Sequence, residues 1–351
     1  MNIMKKLFNK ALLYQYYMLG RWPMIIGSFI FALVSYFTVK SQIADVKYAI
    51  AGFHWNTISY INIIVPIVSW VVISAVYFFI TGINKKNSMI FLQSGPFTKE
   101  QIKINQVFML FASLILMVLV YIYIYLCLAY RNQELVSLIS NFYRVFTRDI
   151  MRITLCGIAF ISYLVFMDMA FSNIIAEIIM IPVLPFLLLF TVSTFGQIYY
   201  SVLGQNIYSN FIVNKLEELV SSIYDYVAYN TYPGGYYAEP QFLSVKETML
   251  LILILSCILF WVFWLLNKKY KMNDVNKIFN FRSIQLVFEY FISLNLVLTI
   301  QTLVVEIYGF KHFANKTNGV LMVYLVVIIS VIIIGTWIIA KLFDKIIKKY
   351  L

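Results

Sequence analysis

Residues 107–128 read VFMLFASLILMVLVYIYIYLCL, a run without a single charged side chain. A hydrocarbon core about 30 Å thick requires roughly 20 apolar residues in an α-helix, so this stretch is long enough to cross a bilayer. Seven other stretches are similar in length and character. The eight spans are predicted at 22–39, 61–80, 107–128, 153–171, 178–195, 249–266, 287–305 and 320–339. A water-soluble fold cannot bury so many apolar helices, so we predict a polytopic membrane protein.

The composition and the continuity of these stretches favour helices over strands. Hydrophobic residues make up 62% of the chain and charged residues 12%, against about 25% charged in ordinary globular domains. A membrane barrel would alternate apolar and polar residues over strand-length pieces. We therefore predict an all-α integral membrane protein, a bundle of about eight transmembrane helices that forms one domain over residues 1–351.

Lysine and arginine residues indicate which side of the membrane each loop faces. With the N-terminus inside, segments 1–21, 84–105, 268–289 and 341–351 lie inside and carry four, four, five and four of the 27 basic residues. Because cytoplasmic loops are enriched in Lys and Arg, both termini are predicted to be cytoplasmic. Topology thus accounts for the net charge of +12, and no nucleic-acid partner is expected.

Two further segments need an interpretation of their own. Residues 1–21 combine basic and apolar side chains and are predicted to form an amphipathic helix along the inner surface. A frayed basic tail is the alternative. Residues 131–152 carry four arginines on a predicted outer segment, and the apolar residues between them indicate a helix in the outer interface.

The longest outer loop covers residues 200–247 and carries more acidic than basic residues, as expected for the extracellular side. Its residues 208–228 have the pattern of an amphipathic helix, and residues 230–237 read as a turn because they contain Pro-Gly-Gly. The many tyrosines of this loop favour a position at the lipid headgroups over a ligand-binding role.

The inner loop between spans two and three contains a helix start. Residues 84–105 read NKKNSMIFLQSGPFTKEQIKIN, and Gly95-Pro96 interrupts the chain. Thr98 followed by Gln101 forms a capping box that begins a new helix running into span three. One interpretation is a well-capped membrane helix with interfacial lysines. The other is an inner helix whose exposed face docks a cytosolic partner.

A few ionisable residues lie in or near the predicted spans. Asp168 and Glu177 flank the short turn between spans four and five, and Arg152 lies near the outer end of span four. Ionisable residues within spans are functional candidates. For Asp168 and Glu177, a position near the hydrated inner headgroups is the alternative to a role in an ion relay.

Catalytic and metal sites find no support in the sequence. The chain has three cysteines, each inside a predicted span, and two histidines in separate loops, so neither a disulfide nor a zinc site is expected. No G-x-x-x-x-G-K-[ST] phosphate-binding motif occurs. We therefore interpret the chain as not catalytic by itself, with no cofactor of its own.

Several of these features together resemble the permease subunits of bacterial ABC exporters. They are the basic start, the inner GPFTKEQI sequence at 95–102, the DMAFSNI turn at 168–174 and the large outer loop before span six. In that family the ATPase is a separate chain, and similar members are common in Gram-positive bacteria. Much of the family has six spans, two fewer than here.

The resemblance implies a function, partners and a set of coupling residues. The chain would pair with a second, identical or similar permease and with a cytosolic ATPase that binds ATP and Mg²⁺, in a bacterial plasma membrane. The inner helix between spans two and three would contact the ATPase. By position, the coupling residues are Phe97, Thr98, Lys99, Glu100, Gln101 and Lys103.

The predicted function is therefore export of an amphipathic substrate, such as a peptide, an antimicrobial or a lipid-like molecule. Two alternatives remain open at this point. An ion-coupled secondary transporter or lipid flippase would need no ATPase and would show inverted repeats and mid-membrane charges. A membrane immunity or sensor protein would bind a ligand through the tyrosine-rich outer loop without moving it.

Overall fold

The structure is a computed structural model that describes residues 8–51, 64–82, 85–138, 142–203, 227–232, 235–240, 245–269, 279–307 and 318–350. Helices dominate these residues. They are α1 (Lys10–Ala51), α2 (Ile64–Thr81), α3 (Lys85–Ser94), α4 (Lys99–Arg131), α5 (Gln133–Leu138), α6 (Phe142–Ala170), α7 (Ile174–Leu203), α8 (Val245–Lys269), α9 (Arg282–Ile307) and α10 (Asn318–Tyr350).

Eight helices among the described residues are long and apolar enough to cross a membrane. Their apolar portions are Lys10–Ala44, Ile64–Thr81, Lys99–Arg131, Asp149–Ala170, Ile174–Phe195, Met249–Lys269, Arg282–Thr302 and Val326–Lys345. Each overlaps one predicted span, so the prediction of an all-α, multi-pass membrane protein with eight spans is confirmed. Large apolar side chains are exposed along most of these helices, as expected for surfaces that face lipid.

Two short strands lie within the predicted outer loop. β1 (Val227–Tyr232) pairs antiparallel with β2 (Gly235–Pro240), in a register that runs from Val227 opposite Pro240 to Tyr232 opposite Gly235. The residues predicted as a turn at 230–237 therefore lie mainly in the two strands. The amphipathic helix predicted at 208–228 lies outside the described residues up to position 226.

Helix α1 differs from the sequence prediction of a surface helix followed by a separate span. It runs without a break for 42 residues, through Pro23, and at 1.5 Å per residue it is about 63 Å long. Leu12 and Tyr16 near its start are buried because that end packs against protein. From Lys10 onward the basic segment is therefore continuous with the first span, and residues 1–7 of that prediction lie outside the described residues.

The chain divides into two compact units. Unit 1 comprises Met1–Phe166 and Glu217–Lys269, and unit 2 comprises Met167–Leu216 and Tyr270–Leu351. In unit 1, glycines let helices approach closely. A Cβ atom built on Gly27 of α1 would lie 2.5 Å from Val72 Cγ1 of α2, and one on Gly157 of α6 would lie 2.3 Å from Leu114 Cδ1 of α4.

A half-buried tryptophan adds a specific contact between α2 and α6 in unit 1. The Trp70 ring stacks on the Phe160 ring with centroids 5.1 Å apart, and its indole N–H donates to the Cys156 carbonyl at 3.3 Å. Tryptophan is stable in such a position because its polar N–H has a partner while its apolar body is packed.

Unit 2 has its own apolar core, in which α9 and α10 pack against each other. Val297, Leu298 and Ile332 form this core, and Gly335 of α10 lies against Val297 of α9. Helix α7 joins through a hydrogen bond from the Thr191 hydroxyl to Asn295 Oδ1 at 3.0 Å.

Residues 279 and 280, just before α9, are anchored to the turn between α6 and α7 in unit 2. The Asn280 backbone N–H donates to the Ala170 carbonyl at 3.0 Å, and its side-chain amide donates to the Met169 carbonyl at 2.8 Å. The Phe279 ring packs on Phe171 and Phe288, with centroids 4.8 and 5.5 Å away. Phe279 thus packs within this chain.

Candidate functional site

The connection between α2 and α4 folds as a short helix followed by a sharp turn and a capped helix start. Helix α3 ends at Ser94, Gly95-Pro96 forms the turn, and α4 begins at Lys99. The Thr98 hydroxyl accepts from the Gln101 backbone N–H at 3.2 Å, and Gln101 Oε1 accepts from the Thr98 N–H at 3.0 Å. The predicted capping box is confirmed, and it fixes where α4 begins.

Behind this connection lies the inner polar cluster, defined as Thr81, Ser88, Lys103 and Gln106. The Gln106 amide donates to the Thr81 hydroxyl at 2.9 Å, and Lys103 Nζ donates to Gln106 Oε1 at 3.3 Å. The Ser88 hydroxyl donates to the Thr81 carbonyl at 2.9 Å. Because buried polar groups require partners, this cluster fixes α3 and the start of α4 to the end of α2.

The start of α1 is fixed to the same region. The Asn9 backbone N–H donates to Asn105 Oδ1 at 3.4 Å, and the Tyr16 hydroxyl donates to the Ile102 carbonyl at 3.3 Å. The Phe8 ring meets the Phe108 ring edge-on with centroids 5.4 Å apart. The first turns of α1 and α4 are therefore held together by polar and aromatic contacts.

The six predicted coupling residues differ in exposure. Thr98 is exposed, and Phe97, Lys99, Glu100 and Gln101 are half-buried. Lys103 is only 3% exposed and belongs to the inner polar cluster. A partner at this surface can therefore reach residues 97–101 directly, whereas Lys103 would contribute by supporting them.

The structure adds two exposed residues that the sequence interpretation did not single out. On α3, Phe91 is 72% exposed and Ile90 is 47% exposed, whereas Met89 and Leu92 are buried. The i, i+3 spacing of Met89 and Leu92 is a helical signal. It was hard to recognise because the residues between them are apolar too.

Arg152 lies in a second polar group at the other end of unit 1. Its guanidinium is 3.2 Å from an Asp149 carboxylate oxygen, one helical turn earlier on α6. The Tyr121 hydroxyl of α4 donates to the other Asp149 oxygen at 3.2 Å. All three residues are buried. Asp149 was not singled out from the sequence, although its i, i+3 spacing to Arg152 is a readable signal.

This ion pair and the coupling residues are far apart. Gln101 and Tyr121 are twenty positions apart on the continuous helix α4, which at 1.5 Å per residue places them about 30 Å apart. The described part of unit 1 therefore has a polar region near each end of its helices.

Asp168 and Glu177 lie in unit 2, on either side of the short turn between α6 and α7. Both side chains are buried. Glu177 lies in the first turn of α7, where the helix dipole favours a negative charge, and Asn173 Oδ1 accepts from the Ile175 N–H at 2.8 Å. Glu289 of α9 is also buried and accepts from the Gln285 amide at 2.6 Å.

A metal site is not formed by the residues that the structure describes. No group of three or more His, Cys, Asp or Glu side chains among them is arranged to hold an ion. The three cysteines are free thiols, Cys156 buried and Cys127 and Cys257 exposed on the helix surfaces.

No protein-family model matches the chain, and no curated protein or solved structure matches it either.

Proposed function

We propose that this multi-pass protein is the permease subunit of an ATP-driven ABC exporter in a bacterial plasma membrane. In this proposal it moves an amphipathic substrate, such as a peptide, an antimicrobial or a lipid-like molecule. It carries out no catalysis by itself. A cytosolic ATPase partner binds ATP and Mg²⁺, and a second permease subunit completes the assembly.

The observation that carries the proposal is the construction of the connection between α2 and α4. Helix α3 presents two exposed apolar side chains, Ile90 and Phe91, beside a rigid capped helix start. An exposed aromatic residue next to a well-packed region is typical of a residue that anchors a protein partner. The polar residues 98–101 around it are suited to the rim of such a contact.

The buried contacts behind this surface support a role in transmission. The inner polar cluster joins α3 to α2 and α4, and Asn9 and Tyr16 join α1 to α4. A push on α3 would therefore move the ends of three spans together. Closure of the ATPase would supply the free energy, and the spans would shift between two packings.

The proposal is tested by purifying the full chain from native membranes with its bound proteins and assaying ATP hydrolysis. We expect an ATPase subunit to co-purify with the wild type. The Phe91→Ser variant should lose most of it, because a truncated aromatic anchor costs about 2 kcal/mol or more. The matched control is Tyr130→Ser, which changes an 80% exposed aromatic residue at the far end of α4.

Charge reversal at Lys99 is a second arm of the same test. Lys99 is half-buried at the surface, so Lys99→Glu should weaken the ATPase contact without unfolding the chain. Reversal at Lys103 is not informative in this way, because a buried charge change disturbs the inner polar cluster. Undiminished ATPase binding in both Phe91→Ser and Lys99→Glu would exclude this surface as the contact.

The buried charges favour an ion-coupled transporter as a second candidate. Arg152, Asp149, Asp168 and Glu177 are all buried in or next to spans, and such residues mark ion pathways in many transporters. In that case, purified chain alone in liposomes should move substrate when an ion gradient is applied. Transport that needs nucleotide and the partner ATPase would exclude this candidate.

A further inference from the structure

Helix α10 continues beyond the end of its apolar run. It has 33 residues, which at 1.5 Å per residue is about 50 Å, whereas the hydrocarbon core is about 30 Å thick. The apolar sequence ends at Ala340, and the helix goes on as KLFDKIIKKY. The first residues of this extension must therefore pass through the lipid headgroup layer.

A contact between a tryptophan and a lysine indicates which residues of α10 lie in the headgroup layer. Trp337 is 49% exposed, and Lys341 Nζ lies 3.9 Å from the centre of its ring. Tryptophan on a membrane surface settles at the headgroup level. Lys341, one helical turn further on, is then held at the level of the lipid phosphates.

Two lysines lie on the same face of α10 and carry uncompensated charge. Trp337, Lys341 and Lys345 are spaced i, i+4, i+8, so they line one face of the helix, and both lysines are exposed. We call Lys341 and Lys345 the lysine face. Within the described residues, neither forms an ion pair with an acidic side chain.

The acidic residue between these lysines, Asp344, already has a basic partner. Asp344 forms an ion pair with Arg282 at the start of α9, which joins the ends of α9 and α10 in unit 2. The Asp344 charge is therefore balanced by Arg282, and the positive charge of the lysine face remains. The pair also fixes the helix on which that face is presented.

The same arrangement recurs independently at the end of α8 in unit 1. There Lys268 Nζ lies 5.6 Å from the centre of the Trp264 ring, again at i, i+4 spacing, and Lys268 and Lys269 are exposed. By the predicted topology α8 and α10 both end on the inner side. The same pattern, a tryptophan followed one turn later by an exposed lysine, therefore occurs at the ends of both helices.

We propose that the lysine face binds the phosphate headgroups of anionic phospholipids in the inner leaflet. The charge is complementary, the tryptophan sets the depth, and each basic residue near an anionic surface contributes about fivefold to binding. Zwitterionic lipids lack the net charge that two unpaired lysines select. The inference holds whether or not an ATPase partner drives this protein.

The test uses the full chain in nanodiscs of phosphatidylcholine that contain increasing amounts of brominated phosphatidylglycerol. Bromine quenches nearby tryptophan fluorescence, and subtracting the Trp337→Phe emission isolates the signal of Trp337. We expect brominated phosphatidylglycerol to quench Trp337 more strongly than the same fraction of brominated phosphatidylcholine. High salt should reduce the difference because it screens exposed charges.

Two paired variants distinguish this site from a general charge effect. In Lys341→Gln/Lys345→Gln the preference for phosphatidylglycerol should fall by about five- to thirtyfold. It should persist in Lys341→Arg/Lys345→Arg and in the charge-matched control Lys40→Gln/Lys47→Gln at the other end of the membrane. Equal quenching by both lipids in the wild type, or equal loss in both glutamine variants, overturns the proposal.

A third outcome would point to a protein ligand. If Lys341→Gln/Lys345→Gln loses a co-purifying protein but keeps its lipid preference, the lysine face binds an acidic protein surface and the proposal is wrong.

Discussion

At the scale of single residues, small side chains let the helices of unit 1 approach closely, and a buried ion pair on α6 is hydrogen-bonded to α4. Among the glycines that the structure describes, Gly27 and Gly157 are the two where an added methyl group would meet a neighbouring helix at under 3 Å. Such close approach is how membrane helices gain packing energy, because lipid offers no hydrophobic driving force between them. Substitution of either glycine by a larger residue should therefore lower the stability of the protein.

Gly27→Ala should destabilise the protein more than Gly20→Ala on the same helix does. The new methyl group at position 27 would lie 2.5 Å from Val72 Cγ1, but at position 20 it would lie 3.3 Å from Ile80 Cγ1. Overpacking typically costs about 1–3 kcal/mol, and a helical Gly→Ala change otherwise gains up to about 1 kcal/mol. Thermal unfolding of the detergent-purified protein measures both.

A second-site change checks that steric conflict is the cause. Adding Val72→Ala should restore much of the stability lost in Gly27→Ala, because it removes the atoms that the new methyl group meets. Equal melting temperatures for Gly27→Ala and the wild type would show that α1 and α2 are not packed at this point.

Arg152→Leu should be far more destabilising than Arg131→Leu. Arg152 is buried beside Asp149, and its removal leaves a buried carboxylate without that charge partner, at a cost of about 3–5 kcal/mol. Arg131 is exposed at the end of α4, where substitutions usually change stability by less than about 0.5 kcal/mol. The combined change Arg152→Leu/Asp149→Asn should recover part of the loss in the same unfolding assay, and additivity of the two single effects would contradict the pairing.

At the scale of elements, the capped start of α4 is the feature that positions the proposed contact surface. Both hydrogen bonds of the capping box are present, so the first turn of α4 is fixed by side chains as well as by the backbone. A defined helix start would let a force applied at α3 reach α4 without fraying its end.

Thr98→Ala should loosen that first turn by about 1 kcal/mol, whereas Thr98→Ser should preserve it, because serine supplies the same hydroxyl. Hydrogen exchange of the amides at 99–102 measures the change. We expect roughly fivefold faster exchange in the alanine variant, with unchanged exchange in the centre of α4. Identical exchange in both variants would mean that the cap does not limit opening.

The sequence predicted features that depend on residues close together in the chain. It predicted less well the features that depend on contacts between helices. The Thr98–Gln101 cap and the eight apolar runs follow from spacing and length alone. The rotation of each helix does not, because nearly every face of a span is apolar. Lys103 shows the limit: its charge suggested a surface residue, but it is buried and donates to Gln106 one turn later on α4.

Helix α1 illustrates the same limit at its start. The basic residues before position 22 suggested a separate surface helix, since basic amphipathic segments often lie along membranes. The structure instead packs Leu12 and Tyr16 inside unit 1, which no pattern in residues 1–21 alone could distinguish from burial in lipid.

At the scale of the whole molecule, orientation in the membrane is the property on which the functional proposal depends. Cysteines introduced at Ser94 and Gln133, exposed positions near opposite ends of α4, should label differently in right-side-out vesicles. A charged, impermeant maleimide should modify Gln133→Cys but not Ser94→Cys until the membrane is permeabilised. The reverse pattern would place the termini outside and the proposed ATPase contact on the wrong side.

The contacts at the start of α1 have a consequence for synthesis of the chain on the ribosome. Asn9 meets Asn105 across a separation of 96 positions, and at 5–20 residues per second the wait for that partner is about 5–20 s. Both partners of this contact lie in the first 105 residues. This end of the first three spans can therefore assemble early, while most of the polypeptide is still being translated.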